Sequence, residues 1–273
     1  MTPPAPRPNL LADCSSCFGL CCVALPFARS SDFAVNKDAG EPCRNLQEDF
    51  RCGIHTKLRS SGFRGCTVYD CFGAGQKVSQ HTFNGRSWRE DTALAGRMFE
   101  VFPVVRALHE LLWYLTEAVG LPATEPVRTR LQSALHATEA LAGGSADELT
   151  QLDVDRHRGQ VNEVLLAASN LVRAQAKGKK RNYRGADLVG KRLTGIDLTG
   201  ASFRGAYLVA ADMRRSDLRF ADMIGADLRD TDLSGADLRK SLFLTQFQIN
   251  AAKGDAETRI PDALERPPHW PKT

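Results

Sequence analysis

Apolar side chains follow two different rhythms along this chain, a helical one over residues 88–177 and a five-residue one from Ala186 onward. In the first, Leu94, Met98, Phe102, Val105, Leu108, Leu112 and Leu115 recur at the steps that stack side chains on one helix face. Pro103 is expected to kink this helix, and Gly120 with Pro122 to end it. A second helix carries Leu131, Leu135 and Leu141 and stops at Gly143-Gly144, after which Ser145 and Glu148 make a capping-box pattern. A third repeats Val154, Val161, Val164, Leu165, Leu171 and Val172. An apolar face three helices long needs a surface to cover it, so these stripes read as core.

The second rhythm has no polar exception at its central position, held by Leu188, Leu193, Leu198, Phe203, Leu208, Met213, Leu218, Met223, Leu228, Leu233, Leu238 and Phe243. Two residues earlier lies a small or apolar side chain, mostly Ala, with Lys191 the clear departure. Between them stands Asp at 187, 197, 212, 217, 222, 227, 232 and 237. Neither a helix of period 3.6 nor a strand of period 2 keeps residues five apart on one face, so the chain must turn a corner every five residues. The Asp column reads as bonding to local backbone at those corners. Arg214, Arg219, Arg229 and Arg239, each two places after an Asp, balance its charge.

Residues 186–245 therefore resemble the pentapeptide-repeat family, whose units read Ala-Asp/Asn-Leu-x-x. The resemblance implies a right-handed quadrilateral β-helix with four units per coil, hence about three coils and a rod roughly 10–15 Å tall at the spacing of paired strands. The expected fold class is multidomain α+β: a small Cys-rich metal-binding module, a helical module and this solenoid. The expected divisions are 1–10 disordered, 11–87 cysteine cluster, 88–177 helical, 178–185 basic linker, 186–245 solenoid and 246–273 a C-terminal cap. In the cap, Thr245 starts a short helix through Ala252, and Ile260, Leu264 and Trp270 supply apolar contacts over the solenoid's open edge.

Charge changes the picture little. Formal net charge is +4, and residues 186–245 carry nine basic and nine acidic side chains, so neither nucleic-acid binding nor DNA mimicry is favoured. The Pro-rich opening lacks the order of a secretion signal and no apolar run is long enough to span a membrane, which points to the cytoplasm. A reducing compartment disfavours disulfides for the eight cysteines.

All eight lie early: Cys14, Cys17, Cys21, Cys22, Cys43, Cys52, Cys66 and Cys71. Thiolates a few residues apart can converge on one ion, whereas the adjacent Cys21 and Cys22 are poorly placed to pair with each other. The Cys14-x2-Cys17-x3-Cys21-Cys22 spacing, with Gly40-Glu41-Pro42-Cys43, Cys52-Gly53-Ile54-His55 and Cys66, resembles the bacterial cysteine-cluster family described as zinc- or iron-chelating. Arg59-Ser60 stands where that family has Arg-Pro. The resemblance implies zinc or iron, with an iron–sulfur cluster as one form of the latter. Eight thiolates suit two zinc ions or one cubane. His55 is expected to pack on the cluster rather than to ligate.

No catalytic constellation stands out, and the first functional reading is a non-enzymatic metal-binding scaffold whose solenoid binds another protein or forms a homodimer. The alternatives are an iron–sulfur or metal-dependent enzyme or redox sensor, and a gyrase-binding topoisomerase protector. Two apolar sides of the solenoid should be covered, by the helical zone or the tail of the same chain or as a dimer or partner surface. One is formed by Ile224, Leu242 and Leu244 with Phe220 at the corner, the other by Val189, Tyr207 and Val209.

Overall fold

The computed structural model describes residues 8–271. Part of the segment expected to be disordered, residues 1–7, lies outside the described residues, and Pro8–Leu10 forms a single 3-10 turn. The chain forms two compact units. One holds residues 8–119 and 128–164, the other 120–127 and 165–271.

In the first unit the cysteine-rich segment contains little regular structure. Short helices α1 (Leu20–Val23), α2 (Arg64–Thr67) and α3 (Ala74–Gln76) are joined by turns, and α3 runs into a π-helical turn at Lys77–Thr82. Two antiparallel bridges, Phe27 with Lys37 and Leu46 with Cys52, pin its loops. The helical periodicity then appears as α4 (Thr92–Gly120), α5 (Arg128–Ala142), α6 (Ala146–Thr150) and the first part of α7 (Val154–Ala174). Ser145 caps α6 in the reciprocal arrangement its sequence predicts, its hydroxyl accepting from the Glu148 N–H while the Glu148 carboxylate accepts from Ser145. Helix α4 runs on through Pro103, because Met98, Phe102, Val105 and Leu108 are fully buried on both sides of it. His109 of α4 reaches the Phe72 carbonyl at 2.7 Å and Arg106 the Asp70 carbonyl at 3.0 Å, tying the cysteine-rich segment to the helix within this unit.

In the second unit the five-residue period becomes a stack of coils. Parallel bridges join residues twenty apart along four columns: 182–202–222–242, 187–207–227, 192–212–232 and 197–217–237. At the corners, Ile196 apart, the N–H of one unit's first residue donates to the previous unit's central carbonyl, as from Ala206 to Phe203 at 2.9 Å. The residue before that N–H sits at positive φ, usually Gly (Gly205 at 62°) but also Ala210 (56°) and Arg215 (57°). The central side chains fill the axis: Phe203, Leu208, Met213, Leu218, Met223 and Leu233 are all 0% exposed. The small position also faces inward. Where it carries Ser216 or Thr231, the hydroxyl donates to a carbonyl of the preceding coil, Leu193 at 2.6 Å or Leu208 at 2.7 Å.

The ladder starts at Asn182, so residues 181–185 already form a unit with Tyr183 at its centre, stacked on Phe203 at 5.2 Å. At the other end the tail supplies a last, irregular turn. Lys253 bridges Asp232 and Arg259 bridges Asp237, while α8 (Gln246–Ala251) takes the place of the remaining side. The Gln248 amide donates to the Met223 and Ala226 carbonyls at 2.9 and 2.8 Å. Leu264 and Trp270 are buried, and Trp270 packs so close to Gly254 that any Cβ there would strike the indole.

Candidate functional site

The column of Asp side chains is structural in each of the eight units that carry one. Each Oδ1 accepts from the N–H two residues on, from Val189 to Asp187 at 3.1 Å through Arg239 to Asp237 at 3.1 Å. This closes the bend that starts each corner. Arg214, Arg219, Arg229 and Arg239 each grip the Asp two places before them. Those contacts hold the Asp212 and Asp237 carboxyls below their usual range; for the partly buried Asp237, burial pulls the other way.

Asp222 has a different environment. It is fully buried and accepts from the Arg204 guanidinium at 2.9 Å and from the Ser169 hydroxyl at 2.5 Å. Ser169 belongs to the part of α7 in the same unit, and Arg173, a turn further on, donates to the Gly200 carbonyl at 2.8 Å. This helix segment therefore lies along the side carrying residues 202 and 222, and Ile224, Leu242 and Leu244 are buried. Phe220 is half-buried, with the Lys240 ammonium 5.4 Å from its ring centre. The second side differs. Val189 is 52% and Tyr207 56% exposed, with Val209 half-buried between them.

The cysteines are all free, Cys14 exposed and the other seven half-buried. Cys21 and Cys22 lie side by side with sulfurs 4.0 Å apart. The bond between them, before burial, pushes the Cys21 thiol up and holds the Cys22 thiol down. Burial pushes Cys17 up to about 11 and Cys66 up to about 12, the latter aided by Cys22, Cys43 and Cys52 nearby. Lys37 is buried among them, its ammonium donating to the carbonyls of Val23, Asp38 and Glu41 at 3.1, 2.9 and 2.8 Å. Its charge helps hold Cys22 down. Gly75 is required here, since a Cβ would lie 2.6 Å from the Cys17 sulfur.

As donors, these soft thiols suit zinc or iron. As placed, they do not gather: among the described residues no three Cys, His, Asp or Glu side chains converge on a point that could hold an ion. His55, expected to pack on the cluster, is exposed. Lys37 and the Asp222–Arg204–Ser169 group escaped the sequence reading. The signal for the latter was the apolar group of Ile224, Leu242 and Leu244 on one side, with Ile224 at a position where five other units of residues 186–245 carry Arg.

Residues 184–215 and 211–243 match the family of pentapeptide repeats, eight copies. The chain is 60% identical over 265 residues to the Bacillus subtilis (strain 168) uncharacterized protein YybG, covering 96% of this chain and 95% of that protein. Among solved structures it is similar to a pentapeptide repeat protein from Nostoc PCC 7120, at 23% identity over 37% of this chain and 88% of that one, TM-score 0.22. It is also similar to one from the Arabidopsis thaliana thylakoid lumen, at 21% identity over 35% and 63%, TM-score 0.17. No helix among the described residues is long and apolar enough to cross a membrane.

Proposed function

Since the chain belongs to the family of the Bacillus subtilis protein YybG and is a pentapeptide-repeat protein, we propose that it is a scaffold whose solenoid binds another protein. The observation carrying this is the side with Val189, Tyr207 and Val209. Its apolar side chains stand out into solvent on a rod whose axis is fully packed and whose other apolar side is covered. Two large, half-exposed residues held on neighbouring coils of a rigid ladder supply contact area at little ordering cost. A photo-crosslinking residue at Tyr207 should give a discrete adduct in the cell, and one at Arg219 on a polar side should not. Val189→Arg with Tyr207→Arg should abolish binding without lowering the melting temperature. Equal labelling at both positions would reject the reading.

The finer part of the proposal is that the thiol-rich segment takes up zinc or iron. What supports it is the donor type and number, eight free cysteines within residues 14–71 that influence one another's ionisation. Which ligands bind is the question for experiment, with Cys14, Cys17, Cys21, Cys22, Cys43, Cys52, Cys66 and Cys71 as candidates. Burial that keeps Cys17 and Cys66 protonated would be overcome on ligation, so uptake should release protons. Elemental analysis of anaerobically purified protein, with an absorption spectrum, should find stoichiometric metal. Full titration of all eight thiols in a metal-free, folded sample counts against it.

A further inference from the structure

The two ends of the solenoid are finished differently. At the far end the tail pairs with the last regular coil: Leu233 N–H donates to the Lys253 carbonyl at 2.9 Å, and Leu238 N–H to that of Arg259 at 2.7 Å. At the near end, where the helical zone is the natural cover to expect, no such backbone pairing is present among the described residues. In the second coil the N–H groups of Ser202, Tyr207, Asp212 and Asp217 donate to carbonyls of the first at 2.9–3.2 Å. Their own carbonyls accept from Tyr183, Leu188, Leu193 and Leu198 of the first coil at 2.7–2.9 Å. The counterparts one coil earlier, Asn182, Asp187, Arg192 and Asp197, neither donate nor accept a backbone hydrogen bond among the described residues, and all four are exposed. Leu188 and Leu193, at 9% and 8%, are the least buried of the twelve central residues from Leu188 to Phe243, and Tyr183 before them is only half-buried. This is an open β edge.

The edge is also charged. Residues 177–197 carry seven basic and two acidic side chains, and all seven basic ones are exposed. The reason lies in the repeat. Further along, Arg214, Arg219, Arg229 and Arg239 are each gripped by the Asp two places before them, whereas Arg184 follows Asn182 and Arg192 itself occupies the Asp position. The two acidic groups, Asp187 and Asp197, are committed to the N–H groups of Val189 and Thr199. The edge thus offers unpaired main-chain donors and acceptors inside a positive field.

We propose that this edge binds an acidic, extended segment of a partner protein by strand addition, with Arg184, Lys191 and Arg192 selecting for carboxylates. A second copy of the chain would bring a like-charged edge against this one. A nucleic acid matches the charge but has no N–H and C=O ladder to satisfy the edge. The proposal rests on the scaffold reading and assigns its partner's chemistry.

Fluorescence anisotropy on the full chain tests it, using a short end-blocked peptide of alternating Glu and Thr. Controls are the same peptide N-methylated at alternate amides, a Lys-Thr peptide and single-stranded RNA. The Glu-Thr peptide should bind, and the N-methylated and Lys-Thr peptides should bind at least about tenfold more weakly. Arg192→Pro removes one edge N–H and one charge without breaking any backbone bond of the solenoid, and Arg192→Ala removes the charge alone. The proline variant should lose more affinity than the alanine variant, both melting as wild type. If the proline variant melts lower, the N-methylated peptide decides alone. Equal binding of the methylated peptide, equal losses in the two variants, tighter binding of RNA, or no peptide binding would each overturn strand addition. If the adduct at position 207 persists while peptide binding fails, the edge proposal falls and the scaffold reading stands. Loss of the adduct with peptide binding intact has the opposite meaning.

Discussion

Eight aspartates look alike in the sequence, and seven of them behave alike. Each closes a local bend at the surface. Asp222 closes the same bend, through Ile224 N–H at 3.1 Å, but is also the buried counter-charge of Arg204. The two kinds should respond differently to truncation. Asp222→Ala leaves a guanidinium buried without its partner and should cost about 3–5 kcal/mol. Asp227→Ala, which breaks an ion pair whose Arg229 side chain is 58% exposed, should cost about 1 kcal/mol or less. Urea denaturation of the two variants compares them directly. The five-residue code specifies the local bend completely, which is why the Asp column was legible. What covers a given side depends on where α7 packs within that unit, and the repeat signals only that the side with Ile224, Leu242 and Leu244 is apolar.

At the scale of elements, periodicity carried the reading where it was strict. The three long helices and the twelve central positions of the solenoid could be placed from spacing alone. The unit at residues 181–185 was missed because Tyr183 and Asn182 depart from the commonest residues, although the aromatic stacks into the axis as Leu would. The cysteine-rich segment was harder, because spacing says which thiols are near in sequence and not whether they converge. It is tied to α4 through His109, which is 5% exposed and whose ring nitrogen meets the Phe72 carbonyl. Burial lowers the pKa of this imidazole below its ordinary 6.5, against the pull of that carbonyl. The unfolded chain then binds a proton more readily than the folded one. Above pH 6.5 neither state is protonated and the group has no effect; as pH falls below that value stability should fall. Melting temperatures at pH 7.5 and 5.5 should therefore differ less for His109→Gln than for wild type. An identical pH dependence in both would show that another group controls it.

Over the whole molecule, balanced composition conceals an uneven distribution. The solenoid's nine basic and nine acidic residues largely neutralise one another along its sides, and the excess positive charge collects at the open end. Net charge weighed against a DNA-mimicking topoisomerase protector in the sequence, and the basic end weighs against it again. The twenty-residue register sets a rule for how such a chain can change length. Deleting one unit between Ala226 and Thr245 would leave every corner, Asp bond and central residue locally correct, yet turn everything after the cut by a quarter revolution relative to the coil before it. Gln248, which now meets the carbonyls of Met223 and Ala226, would face the wrong side of the coil beneath it. Removing or duplicating a whole coil preserves each vertical neighbour and moves the end along the axis by about one strand spacing. A gene encoding this rod can therefore grow or shrink in steps of twenty codons, and a five-codon slip, though in frame and in pattern, disrupts it.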